Sequence, residues 1–184
     1  MKKVYLMLLF ISLLILGCSN SNNDISKDDL FVIDHYSNEK IGIGMEKADV
    51  EEILGPFTHD ETGKFHVYND GIWIAYRDEK VAGIVLEEGS EERFSTTRNL
   101  RVSSTRNEVI ETYGDFISDE DLDRNSYMMF DILNLDGEFH VAPISDENRE
   151  HGYIFSIHTG RDIETLDEVI LISIIDYMYS VYMK

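Results

Sequence analysis

The sequence predicts an α+β fold in which two tandem helix-plus-antiparallel-strand repeats form one helix-backed sheet. Three observations carry that reading. "STRNEVIETYGDF" (Ser104 to Phe116) echoes "EKADVEEILGPF" (Glu46 to Phe57) at a constant offset of 59 residues. Each copy is followed by runs of alternating apolar residues around polar turns, the pattern of half-buried antiparallel strands. The composition, with 43% hydrophobic and 28% charged residues, is that of a folded body with a wet exterior.

The echo pairs Ile41 with Leu100, Ile43 with Val102, Val50 with Val109, Leu54 with Tyr113, Gly55 with Gly114 and Phe57 with Phe116. Each copy reads as a short apolar approach, a helix of about ten residues, and a glycine stop. Thr105 and Glu108 have capping-box spacing, in which the hydroxyl and the carboxylate each satisfy a free helix N–H. Glu46 and Asp49 replace them in the first copy, weaker as a cap but favourable to the helix dipole. Gly55 and Gly114 suit a left-handed C′ position. "KFHVY" (Lys64 to Tyr68) and "YMMF" (Tyr127 to Phe130) supply a strand after each helix. "GIWIAYRDEKVAGIVL" (Gly71 to Leu86) then reads as a hairpin, as do "GYIFSIHTG" and "LDEVILISI" (Gly152 to Ile174) with a longer loop. Residues 38–95 form repeat 1 and 96–184 repeat 2, with an insertion over 131–150. "LDGEFHV" within that insertion competes for the strand role given to Gly152 onward.

Parity separates the sheet faces, because side chains alternate along a strand. Ile72, Ile74, Tyr76, Tyr153, Phe155, Ile157, Ile84, Leu86, Ile172 and Ile174 share the face assigned to the helix-packed core. Trp73, Ala75 and Arg77 take the other face, with Ile154, Ser156, His158, Val85, Leu171 and Ser173. Trp73, Arg77, Ile154 and His158 are the candidate binding residues, since Trp and Arg are enriched among interface anchors. The competing reading is that these side chains pack under the insertion. The tail "EVILISIIDYMYSVYMK" reads as a core strand ending at Asp176, with Tyr177, Tyr179 and Tyr182 packing after it; the alternative is that these tyrosines form an aromatic contact surface.

The N-terminus reads as a signal peptide over 1–17. Lys2 and Lys3 precede an apolar run, Val4 to Leu16, of 13 residues, short of the roughly 20 that a membrane-spanning helix needs. Ile15-Leu16-Gly17-Cys18 resembles the lipobox of bacterial lipoproteins, and the resemblance implies a diacylglyceryl group on Cys18 and palmitate labelling. Cys18 is the only cysteine in the chain, so no disulfide competes for it. Each buried methylene contributes about 0.8 kcal/mol, and two acyl chains anchor firmly. Residues 18–37, opening "CSNSNNDISKDD", are expected to be a lipidated flexible tether. Cleavage would remove Lys2 and Lys3 and take the formal net charge from −20 to −22. That excess speaks against nucleic acid and against docking on anionic lipid.

"IGIGMEKADVEEILGPF" (Ile41 to Phe57) resembles the helix motif of the beta-lactamase inhibitor protein-like tandem repeats, and of the small lipoprotein of the outer-membrane barrel-assembly machine. The resemblance extends from Ile41 to Ile174 and implies a helix-backed antiparallel sheet whose open face grips a protein. The second copy departs from the motif where Ser103 stands for Gly44 and Asp115 for Pro56.

No enzyme signature stands out in the sequence. Asp119, Asp121, Asp123 and Asn125 alternate as in half of an EF-hand loop, but Arg124 takes the glycine position and Phe130 the place of the bidentate Glu. His35, His59, His66, His140, His151 and His158 show no metal-ligand spacing. There is no nucleophile elbow and no phosphate loop. The expectation is a membrane-anchored extracytoplasmic lipoprotein, a non-catalytic protein-binding module without cofactor or metal, whose partner is an envelope protein. The alternative is an enzyme or assembly factor acting on cell-envelope polymers or complexes.

Overall fold

The computed structural model describes residues 24–124, 126–160 and 167–182. The expected signal peptide and Cys18 lie outside the described residues. The fold mixes short helices with antiparallel sheet, as the α+β reading expects. Strands β3 (His59–Glu61), β4 (Phe65–Val67), β5 (Ile72–Arg77), β6 (Lys80–Leu86), β8 (Tyr127–Leu135), β9 (Glu138–Val141), β10 (Gly152–Thr159) and β11 (Val169–Asp176) form one sheet. Its order is β3-β4-β5-β6-β11-β10-β8-β9. A smaller sheet, β2-β1-β7, joins β1 (Phe31–Asp34), β2 (Glu39–Gly42) and β7 (Phe94–Thr96).

The middle of the large sheet is the pairing of β6 with β11, where Ile84 faces Ile174, Val85 faces Ser173 and Leu86 faces Ile172. Moving outward on both sides, β5 pairs β6 and β10 pairs β11, each with a register shift, after Ala75 in one and after His158 in the other. Apolar residues of one parity point inward: Ile72, Ile74, Ile84, Leu86, Phe155, Ile157, Ile172 and Ile174 are all at most 1% exposed. Burying one such side chain contributes about 1.5–3 kcal/mol. The core face assigned from alternation is therefore the core face found, with Tyr76 and Tyr153 half-buried at its margin.

Helix α1 (Lys47–Leu54) sets Val50 and Leu54 into this core, and α2 (Arg106–Tyr113) sets Val109 and Tyr113, the i and i+4 positions of one helical stripe. Thr105 and Glu108 form the expected capping box: the Thr105 N–H donates to the Glu108 carboxylate at 2.7 Å, and the Glu108 N–H to Thr105 Oγ1 at 3.3 Å. Glu46 caps nothing with its side chain.

The approach to each helix is held the same way. Gly44 N–H donates to Val81, Val81 N–H to Met45 and Lys47 N–H to Glu79; 59 residues on, Ser103 donates to Val169, Val169 to Ser104 and Arg106 to Asp167. Ser103 adopts the same left-handed conformation (φ 69°) as Gly44 (φ 84°), so the serine accepts a backbone geometry that favours glycine.

Three expectations need correction. Gly114 does not stop its helix in the left-handed region: its φ is −56° and the chain continues as a 3₁₀ turn to Phe116. Gly55, at φ 77°, does stop. The difference follows from Pro56, which bars the preceding residue from helical geometry, where Asp115 imposes no such restriction. The tether expected over 18–37 ends earlier. Ser26 and Asp29 make a capping box, and Ile25, Leu30 and Val32 are buried. The repeat boundary expected between residues 95 and 96 falls inside strand β7, with Phe94 fully buried. The unplaced "LDGEFHV" is resolved as the β8–β9 hairpin, turning at Asp136 and Gly137, both with positive φ.

Buried ion pairs fasten the small sheet. The Arg93 guanidinium donates to both Asp34 oxygens, at 3.0 and 2.6 Å, and to Asp70 at 2.9 Å. Arg98 likewise grips Asp29 at 2.6 and 3.2 Å, with its guanidinium over the rings of Tyr113 and Phe116. Burial pushes the Asp34 carboxyl up, but Arg93 and the Tyr36 N–H outweigh it and hold the group below its ordinary value.

Candidate binding face

The reverse of the sheet is built in rows. One row runs Val67, Trp73, Val85, Ser173, Ser156 and Met129 across six strands. The next runs Ala75, Gly83, Ile175, Ile154 and Asp131, and another Leu171, His158 and Tyr127. Small residues make the floor. Ala75, Ser156 and Ser173 are buried, and the two serine hydroxyls meet at 2.6 Å. A Cβ on Gly83 would touch that of Ala75 at 3.3 Å.

Aromatic residues flank this floor on both sides. On one flank the Trp73 ring lies 6.2 Å from Phe65, which meets Tyr179 edge-on at 6.4 Å. Tyr179 comes from helix α4 (Tyr177–Tyr182), which follows β11, and its hydroxyl donates to the Lys64 carbonyl at 2.6 Å. The C-terminal helix thus reaches over to β4, so this face is wet only in part. On the other flank His158 stands edge-on to Tyr127 at 4.4 Å, and Tyr127 is 37% exposed.

The four predicted residues fare differently. Trp73, Ile154 and His158 are half-buried in adjoining rows of one face, as parity expects. The Trp73 indole N–H is spent on the Glu87 carboxylate, a group that burial pushes above its ordinary value. Arg77, at the end of β5, donates to both oxygens of Asp176, at 3.1 and 2.8 Å, and so serves the fold before any partner. Asp176 also accepts the Tyr179 N–H at 3.2 Å, which starts α4 and explains why regular alternation ends there.

Phe65 and Tyr127 were missed as members of this face, and Tyr179, read only as packing or as a separate aromatic surface, joins it through Phe65. Strand parity could have found the first two, since each lies an even number of places from a reverse-face residue of its strand. A second aromatic patch, on the core side, was also missed. Lys47 Nζ lies 5.5 Å from the Phe57 ring and 5.4 Å from that of Tyr76, and His66 sits between the two rings. The hydroxyls of Tyr68 and Tyr76 bond at 2.8 Å.

Residues 119–124 wind into a short helix, α3, opened by the Ser118 hydroxyl accepting the Asp121 N–H. Side chains two apart on a helix point in divergent directions, so the acidic run does not take up the alternating loop geometry of a calcium site. Among the described residues no three His, Cys, Asp or Glu side chains are grouped as a metal site requires.

The chain matches no protein family and no curated protein. Among solved structures it is similar to a cysteine-rich secretory protein from Staphylococcus aureus subsp. aureus Mu50, at 13% identity and a TM-score of 0.39. The likeness covers 72% of this chain and 42% of that one, so the chain spans less than half of the protein it matches.

Proposed function

We propose that this protein is a lipoprotein, anchored through Cys18 on the extracytoplasmic face of a membrane, whose body is a non-catalytic module that binds another envelope protein. The body is a tandem duplication: two helix-plus-strand units joined along β6 and β11, in the manner of the beta-lactamase inhibitor protein-like repeats. Several features support the duplication. The same three backbone hydrogen bonds recur at both helix starts. The register shifts fall at matching places in β5 and β10, and Val85 opposite Ser173 lies where a two-fold between the units would pass.

The observation that carries the binding role is the reverse sheet face. Around a floor that is itself buried, the half-buried Trp73, Ile154 and His158 and the exposed Tyr127 present a shallow surface, the form that suits a protein partner better than a small substrate held in a deep cleft. Its anchors are Trp73, Ile154 and His158, joined by Tyr127.

Two experiments test the reading. Replacing Trp73 with Ala should leave one cooperative unfolding transition and lower partner recovery after crosslinking in intact cells by about tenfold or more. Full recovery by a folded variant would refute the face. Cys18→Ser should release the protein from membranes and end palmitate labelling; a variant still labelled would remove the anchor.

A further inference from the structure

The chain enters the body at one end of the large sheet. Asp24, Ile25, Ser26 and Lys27 line a groove of about 720 Å³ whose other wall is Gly137 to Val141, the β9 hairpin edge. Strand β9 is one margin of the sheet and β3 is the other. Seven strand spacings of about 4.8 Å separate them, so the β3 edge lies on the order of 30 Å beyond β9.

The reach from the lipid is short. Packing begins at Ile25, which is 7% exposed. From Cys18 to Asp24 is six residues, a span of at most about 20 Å even when fully extended. A body carrying the formal charge left after cleavage is repelled by an anionic leaflet. Held at one end and repelled along its length, it stands away from the surface instead of lying flat on it.

We infer that the body stands on its β9 margin, with β9 beside the bilayer and the β3–β5 end carried outward into the aqueous compartment. The inference rests on the Cys18 anchor proposed above. It adds a direction to the binding face. The Phe65–Trp73–Tyr179 flank and the Lys47–Phe57–Tyr76 patch both lie toward the outer end, on opposite faces of the sheet. Ile154, His158 and Tyr127, on β10 and β8, lie nearer the bilayer, so a partner that engages the whole face is a protein that extends outward from the membrane surface past the headgroups and not a segment embedded in lipid.

Energy transfer to the membrane tests the orientation. Lipidation occupies Cys18, so single cysteines introduced as Glu138→Cys on β9 and Asp60→Cys on β3 can each carry a donor dye; both positions are exposed. The full lipidated chain is placed on phosphatidylglycerol-containing vesicles with an acceptor-labelled lipid. Transfer from position 138 should exceed that from position 60 several-fold. A Gly-Ser insert of about 20 residues after Asn23 should erase the difference, because a long flexible tether lets the body turn. Equal or reversed transfer with the native tether, in protein that floats with the vesicles, would overturn the orientation alone. Full-length protein that fails to float would overturn the anchor, and the orientation with it.

Discussion

Asp34→Ala should destabilise the protein by about 3 kcal/mol, the lower part of the range for breaking a buried ion pair. Asp34 is fully buried, and Arg93 is 12% exposed, so removing the carboxylate strands a guanidinium that water hardly reaches. The loss falls at the lower end because Asp70 still accepts from Arg93 at 2.9 Å. Urea denaturation would measure it. Asp34→Ala combined with Arg93→Met should recover much of the loss, since an apolar pair carries no stranded charge. A single variant as stable as the parent would show that the pair adds nothing.

The same pair sets an acid response. Asp34 is held below its ordinary value of 3.8 in the folded state, so between the two values the unfolded chain binds more protons. Its contribution is therefore complete above 3.8 and fades as pH falls through the depressed folded value. Between 3.8 and that depressed value the parent should lose stability on acidification more steeply than Asp34→Ala does. Parallel acid titrations of unfolding would check the sign.

Phe155→Ala should cost about 3–5 kcal/mol, as large-to-small changes in a packed core do. Phe155 has no exposed surface and stacks on Phe130 with centroids 5.0 Å apart and planes 10° from parallel. Tyr113 of α2 lies 4.9 Å from it on another side. The truncation opens a void shared by β8, β10 and α2, three elements that cannot collapse together. Phe155→Leu, which refills most of the space, should cost about 1.5 kcal/mol or less. Midpoints from urea denaturation, with unchanged slopes, would separate the two; equal losses would place Phe155 outside the packing centre.

Strict alternation made the core face legible. Ile72, Ile74, Phe155 and Ile157 are bulky at every second place and all lie in the core, while the smaller Ala75 and Ser156 of the opposite parity are buried as well. The Thr105 cap was legible because all its atoms lie within four residues. What escaped was decided by distant partners. Strands β1 and β7 are four and three residues long, and pair across some 60 intervening positions, so no local period marks them. Arg77 reads as a free anchor until Asp176, 99 residues later, is seen to hold it. The tail after Asp176 holds Tyr177, Tyr179, Val181 and Tyr182, residue types that favour strands. It turns helical because Asp176 takes an N–H of the next turn.

The seam between β6 and β11 also shapes how the chain comes to be folded. Val81 to Leu86 is a run with no charged side chain, and the strand that covers its outer edge starts at Val169. During synthesis the first half therefore emerges with a sticky margin bare, and the nascent protein is most prone to self-association until its last quarter arrives. Acidic residues close to that strand on both sides, Glu79 before it and Glu87 and Glu88 after it, keep neighbouring unfinished chains apart in the interval.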